Sequence, residues 1–531
     1  MVHFKPIDFA QTNFFSSLVL DYNEQKERLK PFYRFSNDNL GIHDAINQVK
    51  QFTYNRKILV NTLIKQYQSI DYKENIQFNL MLNSSTFAIV TAHQPIIFGG
   101  PLYFIIKIAN AIRLAQDLKK QFPAFDFVPF YWMGSEDHDM EEIGQMQLFG
   151  KKIIWENDSK GPSGRKSMDS IQPLLQALNS ILGNSPNADK LKTIFEQAYS
   201  SEKDLKSATR QFVHSIFGNY GLICIDGDDV DLKALFVPII KKEIFERKSF
   251  DLVEASSTKL VNLGYKKQST PRQINFFYLG DTLRERIIWD EMTKTYKVNN
   301  TEITFSEDEM RAEIENNPQC FSPNVIMRPL YQQTILPAIA FIGGGGEISY
   351  WLQLKAVFDA YNTFYPVLLL RNSVQPILQS QFKKWQKLGL DLSHIFFNTK
   401  AIQTQFLTLN AIKEVDIDPA LESLNIAFQE LNDIAKKVDV NLLDTIGAEQ
   451  KKTENVFKQI KQKLTKAQNQ QFENQYNQID NIKKSWFPNE NLWEREESFA
   501  SLYLKFGDKI LNEFIDNMNP LDLKFYLILE D

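Results

Sequence analysis

Residues 87–139 read FAIVTAHQPIIFGGPLYFIIKIANAIRLAQDLKKQFPAFDFVPFYWMGSEDHD, and this stretch decides the fold. Phe87 to Ala92 is a short, nearly unbroken apolar run, the pattern of a buried strand. His93-Gln-Pro-Ile-Ile-Phe-Gly-Gly-Pro101 follows as a loop. Leu102 to Leu118 carries apolar residues at helical spacing, and Pro101 suits the first turn of that helix. Phe127 to Met133 is a second strand, running out into Gly134-Ser-Glu-Asp-His-Asp139. A strand, a crossover helix and a second strand form the repeating unit of a parallel sheet.

Working outward, three more apolar runs extend the sheet: Leu222 to Asp226, Ile335 to Ile342 and Phe364 to Leu370. The expected fold is α/β, a Rossmann-like core of five strands over residues 86–400. The connections near 150–200 and 262–320 are too long for simple crossovers and read as inserted subdomains. The second alternates in hydrophobicity around Arg272–Leu279 and Arg284–Ile288, which suggests antiparallel β structure. Residues 1–85 read as a helical layer, with one helix carried by Phe52, Ile58, Leu59, Leu63 and Tyr67. Within 401–486, Leu421, Leu424, Phe428, Leu431, Ala435 and Val438 recur at three and four. After a break at 441–447, Phe457, Ile460, Leu464 and Ala467 do the same. This is an antiparallel coiled-coil hairpin whose second helix, about 449–486, would reach roughly 57 Å. A projecting helix with an apolar seam usually needs a partner, and the simplest is a second copy, so a homodimer is expected; the plainer reading is a hairpin folded entirely onto its own core. Residues 487–531 return to the core.

The chain has 531 residues, 43% of them hydrophobic, which excludes global disorder. Its net charge of −5 argues against a dedicated nucleic-acid binder. Two cysteines, Cys224 and Cys320, support neither a disulfide framework nor a four-cysteine zinc site. The first residues do not read as a secretory leader, and no apolar run is long enough to span a membrane. A cytoplasmic protein is expected.

In open parallel sheets, ligands bind beyond the carboxyl ends of the strands. Four polar segments fall there. His93 and Gln94, with Gly99 and Gly100 before a helix, suit a phosphate or carboxylate; the plainer reading is a turn around a buried histidine. Asp137 and His138 suit a general base or a divalent cation, although acids also favour a helix start. In the third segment, Asp228 or Asp229 reads as a helix cap rather than a catalyst. The fourth holds Asn324 and Arg328, then Gly343, Gly344, Gly345 and Gly346, Glu347 and Tyr350. Four successive glycines make sense where backbone must pass close to a ligand. Arg328 could clamp a carboxylate, Glu347 could read an amine, and Arg371 adds an anion contact. No P-loop, GxGxxG or HExxH pattern is present, and no tightly bound metal is expected.

The segments TAHQPIIFGGPLYFIIK, FYWMGSEDHDMEEI, YGLICIDGDD, PRQINFFYL, SPNVIMRPLYQQTILPAIAFIGGGGEISYWLQLK and FPNENLWERE resemble, in this order, the bacillithiol-biosynthesis cysteine-adding enzyme family, the cysteine ligases of that pathway. The resemblance implies a nucleotidyltransferase-like core, connecting-peptide insertions and a dimerising coiled coil. It implies a ligase joining L-cysteine to glucosaminyl malate, with ATP or ADP and Mg²⁺ as accompanying ligands. The family often has Gly-Gln-Gln where this chain has Ala92-His93-Gln94, and Gly-Pro-Gly-Glu where it has Gly344-Gly345-Gly346-Glu347. A KMSKS-type loop is not evident. The expected scheme runs through cysteinyl adenylate. His93 and the Gly99–Gly100 loop would meet phosphates, with Gly343–Gly346 near the nucleotide. Asp137 or His138 would take the glucosamine proton or hold Mg²⁺. Arg328 would hold a malate carboxylate, while Glu347 and Tyr350 orient cysteine or sugar hydroxyls. Two other readings stay open on the residues: a non-catalytic nucleotide-binding scaffold, and a related ligase making a different amino acid conjugate.

Overall fold

The apolar runs pair as five parallel strands in a computed structural model that describes residues 2–70, 77–157, 160–200, 202–410 and 415–530. Short parts of the expected helical layer, first insertion and approach to the hairpin lie outside the described residues. The strands are β1 (Thr86–His93), β2 (Asp126–Met133), β3 (Ile223–Asp226), β4 (Ala338–Gly343) and β5 (Val367–Leu370). Their order is β5-β4-β1-β2-β3. The chain leaves β1 toward β2 and β3 on one side, then returns to build β4 and β5 on the other. Strand order therefore reverses between β1 and β4, which opens a crevice at their carboxyl ends. Register runs from Thr86 opposite Asp126 to His93 opposite Met133, so β1 and β2 end level. Across the reversal, the Thr91 hydroxyl donates to the Ile342 carbonyl at 2.9 Å.

Helix α1 (Leu102–Gln121) connects β1 to β2 and buries residues on almost every turn, because both sheet and flanking layer cover it. Beneath the sheet, Phe87, Ile89, Leu114, Leu118, Ile342 and Leu369 share a core with Ile42, Ile46 and Val49 of the N-terminal layer. That layer differs from its expected form in two places. Val2–Ile7 is a strand, ordered beside Phe525–Glu530 and then Ser373–Ile377. The expected single helix around Phe52 to Tyr67 is two, Asn39–Val49 and Arg56–Tyr67. Asn55 starts the second by accepting the Ile58 amide at 3.2 Å.

The first insertion holds the hairpin Gln145–Leu148 with Lys151–Ile154 and the helices Gln172–Leu182 and Pro186–Ser200. The second is the expected antiparallel structure. Five strands run in the order Thr304–Phe305, Thr295–Val298, Arg284–Asp290, Phe276–Leu279 and Phe321–Pro323. Both insertions are tied to strand ends. Arg165 forks onto the buried Asp228 at 2.7 and 2.8 Å and reaches Asp281 at 3.2 Å. The Ser163 amide donates to the Asp137 carbonyl at 2.6 Å, and the Gly164 amide to that of Ser135 at 2.8 Å.

Two compact units divide the chain. The larger comprises Val2–Gln375 and Leu492–Ile528; the smaller comprises Pro376–Asn491 with the last residues from Leu529. The smaller unit thus begins well before residue 401, because helices Gln379–Lys387 and Thr399–Leu409 belong with the hairpin. The larger unit holds α2 (Arg328–Ile335) and α3 (Gly345–Trp351), while the hairpin consists of α4 (Asp418–Val438) and α5 (Leu442–Gln471), then α6 (Glu473–Trp486). The expected second helix is broken at Phe472, and Gly447 lies inside α5 rather than in the turn. At the base of this unit, Trp385 and Trp486 are buried with ring centroids 5.0 Å apart. Among the described side chains of α4 and α5, Ala435 alone is buried. No helix among the described residues is long and apolar enough to cross a membrane.

Burial pushes the Asp228 carboxyl up, but the Arg165 fork overrides it and holds the group below the usual carboxylate range. Losing one partner of a buried pair costs several kcal/mol. Arg165 is a quarter exposed, so Asp228→Asn is expected to cost about 2 kcal/mol. The check is a lower urea midpoint together with faster proteolysis within residues 150–200.

Candidate functional site

A cavity of about 370 Å³ opens at the β1/β4 reversal, at the small end of the ~300–1,000 Å³ usual for ligand sites. The end of β1 supplies His93 and Gln94. The His93 Nδ1 faces the Gln94 carbonyl at 2.9 Å, so it carries the proton, and Nε2 accepts the Tyr103 hydroxyl at 2.8 Å. Burial and the nearby Lys107 charge pull its pKa down to about 4. His93 is therefore neutral, with both nitrogens engaged inside the protein. It orients Tyr103 and carries no positive charge toward a phosphate. Gln94 donates to Asp137 at 3.2 Å and to Glu142 at 2.9 Å, joining the loops after β1 and β2.

Gly99 and Gly100 do not line the cavity. Their φ values are +77° and +51°, and an added Cβ would lie 2.7 Å from Phe212 or 2.3 Å from Ile96. They are glycine for turn and packing reasons. Gly344, Gly345 and Gly346 are the reverse case. They line the cavity, and an added Cβ would meet nothing nearer than 3.6, 3.7 and 3.7 Å respectively. Gly343 ends β4 outside the cavity lining, where Phe341 and Glu347 crowd it.

From the loop after β2, Glu136 and Asp137 reach the cavity. Glu136 pairs with the fully buried Lys233, whose Nζ also donates to the Phe321 carbonyl at 2.6 Å. Burial pushes Glu136 up and Lys233 only partly offsets it, so its carboxyl sits above the usual range. His138 is exposed, outside the lining, and its Nδ1 accepts from Arg284 at 2.9 Å. The same guanidinium lies 3.6 Å from Asp137 and stacks over Phe277 at 4.0 Å.

Beyond the second insertion, α2 (Arg328–Ile335) begins at the cavity wall. Arg328 donates to Gln332 at 3.0 Å and to the Tyr350 hydroxyl at 3.1 Å. It has no ion-paired carboxylate among the described residues. Asn324 is held, its Oδ1 accepting the Ile326 amide at 2.9 Å and its Nδ2 donating to Asn275 at 2.8 Å. Glu347 and Tyr350 lie on α3 (Gly345–Trp351). Glu347 accepts from Lys107 at 2.6 Å and from the Gly344 amide at 2.8 Å. Burial pushes Glu347 up, but Lys107 and that amide win, so it lies below the usual range. Arg371 borders the cavity with its charge already met. It pairs with the buried Glu494 at 2.7 Å and donates to Ser373 at 2.9 Å.

Most of the expected residues therefore converge: His93, Gln94, Asp137, Asn324, Arg328, Gly344–Gly346, Glu347, Tyr350 and Arg371. Sequence reasoning missed Tyr103, Lys107, Glu136, Glu142, Arg284 and Arg495, which also line the wall. Tyr103 and Lys107 had a legible signal: they stand four apart, and Lys107 interrupts the apolar first two turns of α1. Among the described residues, no three His, Cys, Asp or Glu side chains gather as a metal site.

A parallel sheet with a charge-lined cavity at its switch point defines a Rossmann-like α/β enzyme. Residues 2–372 match the model of the bacillithiol biosynthesis BshC N-terminal Rossmann-like domain, and 375–530 that of the BshC C-terminal coiled-coil domain. The chain belongs to the BshC family. It is similar to proteins named "Putative cysteine ligase BshC" along their full length. One from Flavobacterium johnsoniae is 39% identical, covering 98% of this chain and 99% of that protein. One from Christiangramia forsetii is 36% identical, covering 98% of each.

The state of His93 carries a consequence for stability. A free imidazole takes its proton near pH 6.5, the folded one only near 4. Between those values the unfolded chain binds more protons, so stability falls as pH drops from 6.5 to 4. His93→Gln is expected to lose less over that window, the difference being at most about 3 kcal/mol. Thermal midpoints of both proteins across pH 4–7 check this.

Proposed function

We propose that this chain is a ligase that joins the carboxyl of L-cysteine to the amine of glucosaminyl malate, the last step of bacillithiol biosynthesis. The names of its relatives supply the cysteine. The observation that carries the acceptor is Arg328, a guanidinium on the cavity wall with no ion-paired carboxylate among the described residues. A malate carboxylate is the chemical complement of that group. Tyr350 steadies the guanidinium, and Glu347 is placed to meet an ammonium or a sugar hydroxyl.

Forming the amide breaks a C–O bond at the cysteine carboxyl and removes a proton from the attacking amine. Glu136 and Asp137 are two of the carboxylates on the cavity wall, and Glu136 is the proposed proton acceptor because burial holds it above the usual carboxylate range in spite of its Lys233 partner. Most of the rate would come from holding the two reactants together. Hydroxide is a poor leaving group, so ATP with Mg²⁺ is the proposed activator, supplying a phosphate ester as leaving group. The open backbone of Gly344–Gly346, with Arg495 on the wall of the same cavity, fits a phosphate. The packed Gly99–Gly100 turn does not. We place the reaction in the cytoplasm, where cysteine stays reduced.

One incubation tests the reading. Purified protein, L-cysteine, glucosaminyl malate, Mg²⁺ and ATP are mixed and the products followed by mass spectrometry. The expected result is cysteinyl-glucosaminyl malate with AMP and pyrophosphate. ADP with phosphate would replace the adenylate by an acyl phosphate, and no thiol product would end the proposal.

The hairpin is proposed to pair two copies of the chain. Leu431, Ile434, Val438, Val456, Ile460 and Leu464 are exposed along α4 and α5, more apolar surface than a lone hairpin tolerates. Ile434→Glu with Leu464→Glu is expected to shift the sedimentation coefficient from dimer to monomer. A mass unchanged between the two proteins would refute the pairing.

A further inference from the structure

Outside the cavity, a buried polar cluster surrounds Glu243, a carboxylate with no exposure and, among the described residues, no cation as a hydrogen-bond partner. Its Oε1 accepts the Ser249 hydroxyl at 2.6 Å, the Asn275 amide at 3.2 Å and Asn275 Nδ2 at 3.0 Å. Its Oε2 accepts the Tyr361 hydroxyl. A buried acid is tolerated only when its lone pairs are met, and here neutral donors meet them.

Asn275 is the pivot. It is fully buried and sits in the second insertion, one residue before the strand Phe276–Leu279. While Nδ2 faces Glu243, Oδ1 accepts the Asn324 side chain at 2.8 Å, and the Asn275 carbonyl accepts the Asn324 amide at 3.1 Å. Asn324 in turn accepts the Ile326 amide through its side chain and the Arg328 amide, at 2.9 Å, through its carbonyl. The turn that launches Arg328 into the cavity is therefore fixed from behind, through two asparagines, by one buried carboxylate.

We propose that Asn275, held by Glu243, is a positioning residue that aims Arg328 and so sets affinity for the carboxylate-bearing acceptor. This rests on the ligase reading for the identity of the acceptor, but not for the geometry. Asn275 touches no reactant and is expected to leave the handling of cysteine alone.

The experiment compares the full-length protein with Asn275→Ala, Arg328→Ala and the double variant. Amide hydrogen exchange is followed over residues 324–331, and KM is measured for each substrate. In Asn275→Ala, exchange over 324–331 should quicken while that of β4 does not. The acceptor KM should rise about tenfold, the scale of one lost buried hydrogen bond, with the cysteine KM and kcat unchanged. In the double variant the effects should not add, because the two residues act as one unit. Should Asn275→Ala fail to fold, Glu243→Gln serves, with a smaller shift of the same kind. Unaltered exchange over 324–331, additive effects, or equal changes in both KM values would overturn the proposal. If the wild type does not use glucosaminyl malate, the ligase reading fails, while the exchange comparison still decides whether Asn275 holds the Arg328 turn.

Discussion

The Lys107 ammonium is the point on which the site depends. It is almost wholly buried on α1, donates to the Ala92 carbonyl at the end of β1, and pairs with Glu347 at 2.6 Å on the helix after β4. A buried ammonium without partners is too costly to keep charged, and burial already pulls this one below the usual lysine range. The partners it needs are supplied from both sides of the strand-order reversal. One side chain thereby ties together the two loops that a parallel sheet leaves apart at its switch point. The Thr91 to Ile342 hydrogen bond closes the same seam one layer down.

The remaining walls repeat this logic. Each comes from a different part of the chain, and each is fastened by a charge pair that uses up its own charges: Lys233 with Glu136, Arg371 with Glu494, and Arg165 with Asp228. Such pairs add little net stability over apolar packing, but they fix geometry and punish its loss. Their wider effect is subtraction. Once the pairs are made, Arg328 and Arg495 stand on the wall without an ion-paired carboxylate among the described residues, so the cavity keeps an anion-attracting side.

The smaller unit is built on a different balance. Its base is a conventional core of Trp385, Ile402, Phe406, Ile479 and Trp486. The hairpin above it buries Ala435 and leaves Leu431, Val438, Ile460 and Leu464 of its apolar repeat as a stripe in water. Isolated helices draw most of their stability from packing rather than propensity. A hairpin of α5's length, about 45 Å, cannot lean on its base along its whole course. The seam joining α4 to α5 has to be matched by a second contact if the stripe is to be covered.

Much of this was legible in residue order. The five strands, the antiparallel second insertion, the hairpin and most cavity residues follow from periodicity and from the rule that ligands meet strand ends. What was not legible depended on partners distant in sequence. Val2–Ile7 reads as helix entry until its neighbours from the far end of the chain are known. Arg371 reads as an anion contact until Glu494 is placed beside it. The glycines make the sharpest case. Gly99 and Gly345 sit in similar text, consecutive glycines after an apolar run at the start of a helix. Only backbone angle and surroundings separate them. Gly99 has φ +77° and a phenylalanine ring where its Cβ would go, while Gly345 has ordinary backbone and open space toward the cavity. A glycine that protein packing demands says nothing of a ligand. One that packing leaves free, on a cavity wall, is the glycine that a ligand has reason to keep.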